Sequence, residues 1–307
     1  MSSTPAAKSA PAYQLATLAN GVGVALKPHP PALSAALGIW VRAGGRYEAP
    51  EQAGISHFIE HLLFKGTRRR TCEQLKQRIE GVGGSLNGFT AEEFTCYMAK
   101  LPKRHARRAL EVLADMVRHP TLSPRDVDKE REVILEEIRM YEDTPGQYVH
   151  DLLSDLLWPD HPLGRLLSGT VDSVRRIRRS DLVRYWRRMY QPRNLLVACA
   201  GAFDPARVSA QVRRAFGSLR GSPIRAFRRA PYPRRGPQVR VWKKDTEQVH
   251  LCAGAYALPR THPDRFAALR TSETPQSPTR LSSRGWWTGT RSRTPAHPGR
   301  ASARPAS

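Results

Sequence analysis

Acidic residues are scarce in this chain. Across 307 residues, 27 Asp and Glu stand against 50 Lys and Arg, giving a formal charge of +23. Such an excess invites a nucleic-acid reading. No zinc-finger, helix-turn-helix or RNA-recognition motif is present, however, and the arginines are spread along the chain instead of forming one stripe. Nucleic-acid binding is therefore disfavoured, and attraction to acidic peptides is a simpler consequence of the charge. Cysteines are few: Cys72, Cys96, Cys199 and Cys252 include no C-x-x-C pair, which argues against a thiolate zinc site and a disulfide framework. Cys96, Cys199 and Cys252 lie in apolar, strand-like runs and read as small core residues. No apolar run reaches membrane-spanning length, so no membrane partner is expected. Residues 1–11 lack an apolar core segment and any arginine, against secretory or mitochondrial targeting and in favour of a cytoplasmic location.

What the chain does carry is His57-Phe58-Ile59-Glu60-His61, inside an apolar, proline-free stretch from Gly54 to Gly66. A helix is expected here, with Gly66 at its C-cap. At 100° per residue His57 and His61 lie about 40° apart on one face, roughly 6 Å along the axis. Two imidazoles so placed can close on one tetrahedral ion. Glu60 falls about 60° to the other side of His57, within reach of a water held there. The order H-x-x-E-H is the inverse of the commoner H-E-x-x-H and is the inverzincin signature. Two His and a Glu on so apolar a helix are costly unless paired or metal-bound.

A zinc site of this kind needs a third protein ligand. Ser123 to Tyr141 reads as a helix, with Ser123 as N-cap, Pro124 at the first position and Asp126 completing a capping-box-like start. Val127, Ile134, Ile138 and Tyr141 form one stripe, with Val133 and Leu135 at its margins. Glu130 and Glu137, seven residues apart, fall on that apolar side, whereas Asp128, Lys129, Glu132, Glu136 and Arg139 lie opposite. A carboxylate on a buried face needs a cation or donors. The wheel thus favours Glu137 over Glu136 as a ligand.

With these residues placed, the chain resembles the pitrilysin/insulinase family of zinc metallopeptidases, which includes the mitochondrial processing peptidases. The resemblance rests on His57, Glu60, His61 and Glu137, the last lying 76 residues beyond His61. It extends through Gly66-Thr67, Leu86-Asn87-Gly88-Phe89-Thr90, Glu93-Phe94-Thr95-Cys96-Tyr97, Glu130-Arg131-Glu132-Val133-Ile134, His161-Pro162-Leu163-Gly164-Arg165 and Gly169-Thr170, and covers roughly residues 13–270. It implies a zinc-dependent endopeptidase holding one Zn2+ through His57, His61 and Glu137. Glu60 would be the general base, and Glu130 the carboxylate that orients a ligand imidazole. It further implies that Asn87, Gly88 and Phe89 form a sheet edge holding an extended substrate, Gly88 standing where a slightly larger residue is common. The implied partners are a peptide or protein substrate and a homologous subunit, or a dimer, supplying a closing half. The rival readings are a non-catalytic assembly subunit of the same fold, whose hallmark would be a degraded metal motif, and a basic nucleic-acid binder.

The expected fold is α+β, an antiparallel-rich mixed sheet with helices packed on one face. Residues 1–12 read as a disordered N-terminus. A hairpin is expected at Tyr13–Leu18 and Val22–Lys27, further strands at Ser34–Val41, Ser85–Thr90, Glu93–Leu101 and Asn194–Gly201, and helices at Cys72–Val82, His105–Arg118, Tyr148–Trp158, Arg179–Met189 and Pro205–Gly217. His161 reads as a structural landmark. Residues 13–220 form the metallopeptidase domain and 221–237 a Pro/Arg-rich linker. Residues 238–270 begin a truncated second domain, with strand patterns at Val239–Lys243 and Gln248–Ala257 and a helix at Pro263–Leu269. Residues 271–307 are too poor in aliphatic side chains to pack a core and read as a disordered basic tail, an aberrant or out-of-frame terminus.

Overall fold

The computed structural model of the chain describes residues 13–221, 230, 236–259 and 262–264. The N-terminal segment, most of the linker, most of the stretch expected to be helical at Pro263–Leu269, and the basic tail lie outside the described residues. The chain divides into two units, residues 1–140 with 161–230, and residues 141–160 with 231–307. The boundaries drawn from sequence place Tyr148–Trp158 with the first segment; by contacts that stretch groups with the second.

The first unit is built on six strands: β1 (Gln14–Thr17), β2 (Gly23–Pro28), β3 (Ser34–Val41), β4 (Ser85–Thr90), β5 (Thr95–Pro102) and β6 (Leu195–Gly201). Their order is β1-β2-β6-β3-β5-β4. β2 and β6 run parallel and every other pair is antiparallel, so the sheet is mixed and antiparallel-rich. Period-two alternation decides the faces. In β3, Ala35, Leu37, Ile39 and Val41 are buried. Register aligns Val24, Val197, Ile39, Tyr97 and Gly88 in one row across the sheet. The opposite face carries Leu196, Trp40 and Phe89, the latter two packed with Phe94 over Cys96.

The helices are α1 (Ile55–Leu63), α2 (Cys72–Ile79), α3 (Ala106–Arg118), α4 (Pro124–Glu142), α5 (Pro145–Leu157), α6 (Val171–Arg176), α7 (Arg179–Met189) and α8 (Pro205–Phe216). Apart from α5, which belongs to the second unit, their apolar faces join the sheet in one core that includes Phe58, Ile59, Leu62 and Leu63 of α1. No helix among the described residues is long and apolar enough to cross a membrane.

Several expectations need correction. α1 ends at Leu63, and Gly66 is not its C-cap; instead Gly66 bridges Thr71 in a tight return, with φ of 138°. Tyr141 and Val133 are exposed, so the apolar stripe of α4 is narrower than drawn. α6 was not foreseen. It has six residues, too few to show a period, and its signal is the Thr170/Ser173 capping box.

In the second unit, residues 236–259 pass beside α5 without entering a ladder. The strands expected at Val239–Lys243 and Gln248–Ala257 are therefore absent. A strand forms only against a partner, and none is available among the described residues; Val239 is 86% and Leu251 73% exposed. A cavity of about 1320 Å³ lies between this stretch and α5. Cys252 is half-buried beside His150 and is no core residue.

Burial divides the two sheet faces energetically. Ile39→Ala should cost about 2–5 kcal/mol of unfolding free energy in a urea titration. Leu196→Ala, on the other face, should cost under about 1 kcal/mol.

Candidate metal centre

The first turn of α1 has no side-chain N-cap of the ordinary kind. Its donors are met from Glu48, whose Oε2 accepts from the Gly54 N–H and Oε1 from the Ser56 N–H, each at 2.8 Å. Glu48 is buried, and burial raises its carboxyl pKa against the pull of those hydrogen bonds. Gly54 sits at φ of 90°, and a Cβ there would meet the Ser168 carbonyl oxygen at 2.4 Å. Ser56 Oγ lies 2.8 Å from the Tyr185 hydroxyl of α7. These contacts fix the rotation of α1 and so the direction of its two imidazoles.

His57 Nε2 and His61 Nε2 stand 3.2 Å apart. Glu137 Oε2, from α4, lies 3.8 Å from the first and 3.6 Å from the second. Among the described residues this is the one cluster of three or more His, Cys, Asp or Glu whose ligand atoms gather within 4.8 Å of one another. Ligand atoms about 2.1 Å from a tetrahedral ion stand about 3.4 Å apart, so the triangle has the size a zinc ion needs. Glu136 points away, 69% exposed and paired with Arg139.

Carboxylates arrange the surroundings. Glu130 Oε2 lies 3.2 Å from His61 Nδ1, while its Oε1 takes Lys65 Nζ at 2.7 Å. Burial alone would raise the Glu130 pKa, but the hydrogen bonds and charges of His61 and Lys65 outweigh it and hold the carboxyl low. Burial alone would lower His61, yet the hydrogen bond to Glu130 and the charges of Glu137 and Glu60 raise it. His57 lacks such support: burial, then repulsion from His61, brings it down to about 4. Its Nδ1 is buried with no protein hydrogen-bond partner among the described residues.

Glu60 is held by the sheet. Thr90 Oγ1 of β4 donates to Glu60 Oε2 at 2.9 Å, and burial, reinforced by Glu137, raises the Glu60 pKa. β4 is one edge of the sheet, opposite β1. Its Gly88 is closely approached from α1: a Cβ there would meet the Phe64 ring at 2.9 Å and Glu60 Oε1 at 3.2 Å. The larger residue common at this position would have to displace that ring. Asn87 and Phe89 point to the other face, Asn87 Oδ1 accepting the Gly88 N–H at 2.8 Å and Phe89 joining Trp40 and Phe94. His161 is buried in its own turn, its Nδ1 accepting from Leu163 N–H. Thr90, Lys65 and Glu48 were not singled out from sequence. Thr90 lies within the quoted Leu86–Thr90 stretch, but only the pairing of β4 beside α1 reveals its role.

Comparison with known proteins places the chain in a family. Residues 23–171 match the model described as insulinase (peptidase family M16), and residues 176–273 that of the M16 peptidase inactive domain. An uncharacterised zinc protease of Streptomyces coelicolor is 40% identical over 82% of this chain and 56% of its own length. One from Bacillus subtilis is 38% identical over 80% and 59%. A probable mitochondrial-processing peptidase β subunit of Arabidopsis thaliana is 34% identical over 85% and 50%. Among solved structures, a Helicobacter pylori protease superposes with a TM-score of 0.66 at 23% identity, over 71% of this chain and 53% of that one. An M16 inactive domain from Pseudomonas fluorescens gives 0.68 at 17%, over 84% and 62%. These two structures speak to the fold alone. The chain belongs to the insulinase (M16) peptidase family, and it spans about half the length of the curated relatives it matches.

Glu48→Ala would leave two N–H groups at the start of α1 without their acceptor. Unfolding free energy should fall by about 2–4 kcal/mol in chemical denaturation.

Proposed function

We propose that the chain is the metal-binding half of a zinc-dependent endopeptidase that hydrolyses peptide bonds in extended peptides or proteins. The carrying observation is the convergence of His57, His61 and Glu137, from α1 and α4, into one triangle of ligand size. Those three residues would hold one zinc ion, two neutral imidazoles and a carboxylate being a suitable donor set with a position left for water. Zinc, when bound, acidifies water and polarises a carbonyl.

The chain's own residues account for the rest. Glu60 takes a proton from the attacking water and returns it to the leaving amine; its raised pKa brings it nearer the operating range of a general base. Thr90 keeps one Glu60 oxygen engaged and fixes its direction. Glu130, anchored by Lys65, holds His61 Nδ1 in its protonated tautomer, so that Nε2 presents its lone pair toward His57 and Glu137. The open edge of β4 beside Glu60, which includes Asn87, Gly88 and Phe89, receives an extended peptide by main-chain pairing, giving affinity with little sequence preference. A homologous domain or partner subunit supplies the closing half.

Zinc analysis combined with a quenched-peptide assay tests these roles. Glu60→Gln should keep one zinc per chain and lower turnover by about 10²–10⁴-fold. Glu137→Gln should lose the zinc, while Glu136→Gln should keep both zinc and activity. Thr90→Val should retain zinc and slow turnover about tenfold, the scale of one hydrogen bond to a charged group. Unchanged turnover in Glu60→Gln would remove the general-base assignment. Zinc retained at full affinity by Glu137→Gln would remove that ligand.

A further inference from the structure

A second concave site lies in the first unit, built from residues the metal centre does not use. Its volume is about 530 Å³, and its lining is Arg69, Arg70, Arg78, Arg108, Gln74, Gln77, Gly81 and Val82. The sequence explains the gathering. Gln74, Gln77, Arg78 and Gly81 follow the i, i+3, i+4, i+7 spacing that puts residues on one side of α2 and its following turn. Arg108 comes from the first turns of α3, and Arg69 and Arg70 from the return between α1 and α2.

The charge balance of the site is uneven. Arg70 pairs with the buried Asp115, and Arg78 lies 3.5 Å from Glu111, which also takes Arg107 Nε at 2.9 Å. Neither acid lines the cavity. Arg69 and Arg108 pair with no carboxylate among the described residues. No acidic and no aromatic side chain is in the lining, although Glu73 and Glu80 flank the same stretch of α2. The hollow therefore holds four guanidinium groups, of which Arg70 and Arg78 are paired with acids outside its lining and Arg69 and Arg108 are not. Concave walls focus such a field and attract anions.

Gln77 narrows the ligand class, because Gln74 Oε1 is already taken by the Thr71 N–H at 3.0 Å in the cap of α2. A carboxamide both donates and accepts, so beside an anion that only accepts, such as a chain of phosphates, the Gln77 carbonyl oxygen is left to water. An acidic polypeptide offers both partners: carboxylates for the guanidinium forks and the Gln74 amide, and a main-chain N–H for the Gln77 carbonyl. The absence of an aromatic platform removes the stacking that single-stranded nucleic acid would use. We propose that this hollow is a docking site for an acidic, extended polypeptide segment. Binding there is separate from hydrolysis and would stand even if the metal centre proved inactive.

The test uses the full chain and a fluorescein-labelled peptide of alternating Asp, Glu and Gly, followed by anisotropy at low ionic strength with and without a chelator. Arg69→Gln/Arg108→Gln should weaken binding about tenfold, as expected for the loss of two charge-assisted contacts. Arg213→Gln/Arg214→Gln, which removes two exposed charges on α8, should change it less than twofold. Circular dichroism of both variants checks that the fold is kept. Equal weakening by the two variants would show binding to overall charge and overturn the site. Binding abolished by chelation would place the peptide at the metal, with the same consequence. Inorganic triphosphate or a single-stranded RNA held more tightly than the peptide by the native chain, and lost in Arg69→Gln/Arg108→Gln, would overturn the polypeptide assignment.

Discussion

Bringing two imidazoles and a carboxylate from segments 76 residues apart into one small triangle is the constraint that governs this fold. Each group is partly buried, and none is at ease there alone. The surroundings answer that difficulty unevenly. His61 sits in a chain of charges running from Lys65 through Glu130, whereas His57 is buried next to a like-charged neighbour and is driven toward its neutral form. A cation at the centre of the triangle would relieve both. It would attract the neutral imidazoles as ligands and give the Glu137 carboxylate its counter-charge.

The scaffold places the triangle from three sides. Glu48 and Gly54 set the start of α1, and apolar burial of Phe58, Ile59 and Leu62 locks its rotation. α4 brings Glu130 and Glu137 on one face, two turns apart, so one helix supplies both the ligand candidate and the group that steadies an imidazole. The third side is the sheet edge. The cross-strand row that runs from Val24 to Tyr97 ends at Gly88, where the missing side chain admits Phe64 and brings β4 against Glu60. Glu60 and the edge strand β4 are thus neighbours because a glycine stands between them.

The second unit has a different physical character. α5 has no fully buried residue, and the extended stretch beside it leaves Val239, Val241, Val249 and Leu251 in the open. Apolar alternation without a ladder is a pattern awaiting a partner.

Periodicity made much of the first unit legible in advance. The face shared by His57 and His61, the burial of Glu130 beside an exposed Glu132, and the position of Glu137, rather than Glu136, on the side of the imidazoles all follow from 100° per residue, a local property of the backbone. The strands of the sheet were likewise visible as alternating or apolar runs. What local pattern could not supply was adjacency. The insertion of β6 between β2 and β3, the hydrogen bond from Thr90 to Glu60, the capping of α1 by Glu48 and the gathering of four arginines around one hollow join residues far apart in the chain. The unformed strands near Val239 and Leu251 show the same limit from the other side: their alternation was in the sequence, but a ladder needs a second strand. Sequence alone determined which face each side chain would occupy, because that depends on neighbours a few residues away; only tertiary structure decided which faces meet, because that is settled by burying them together.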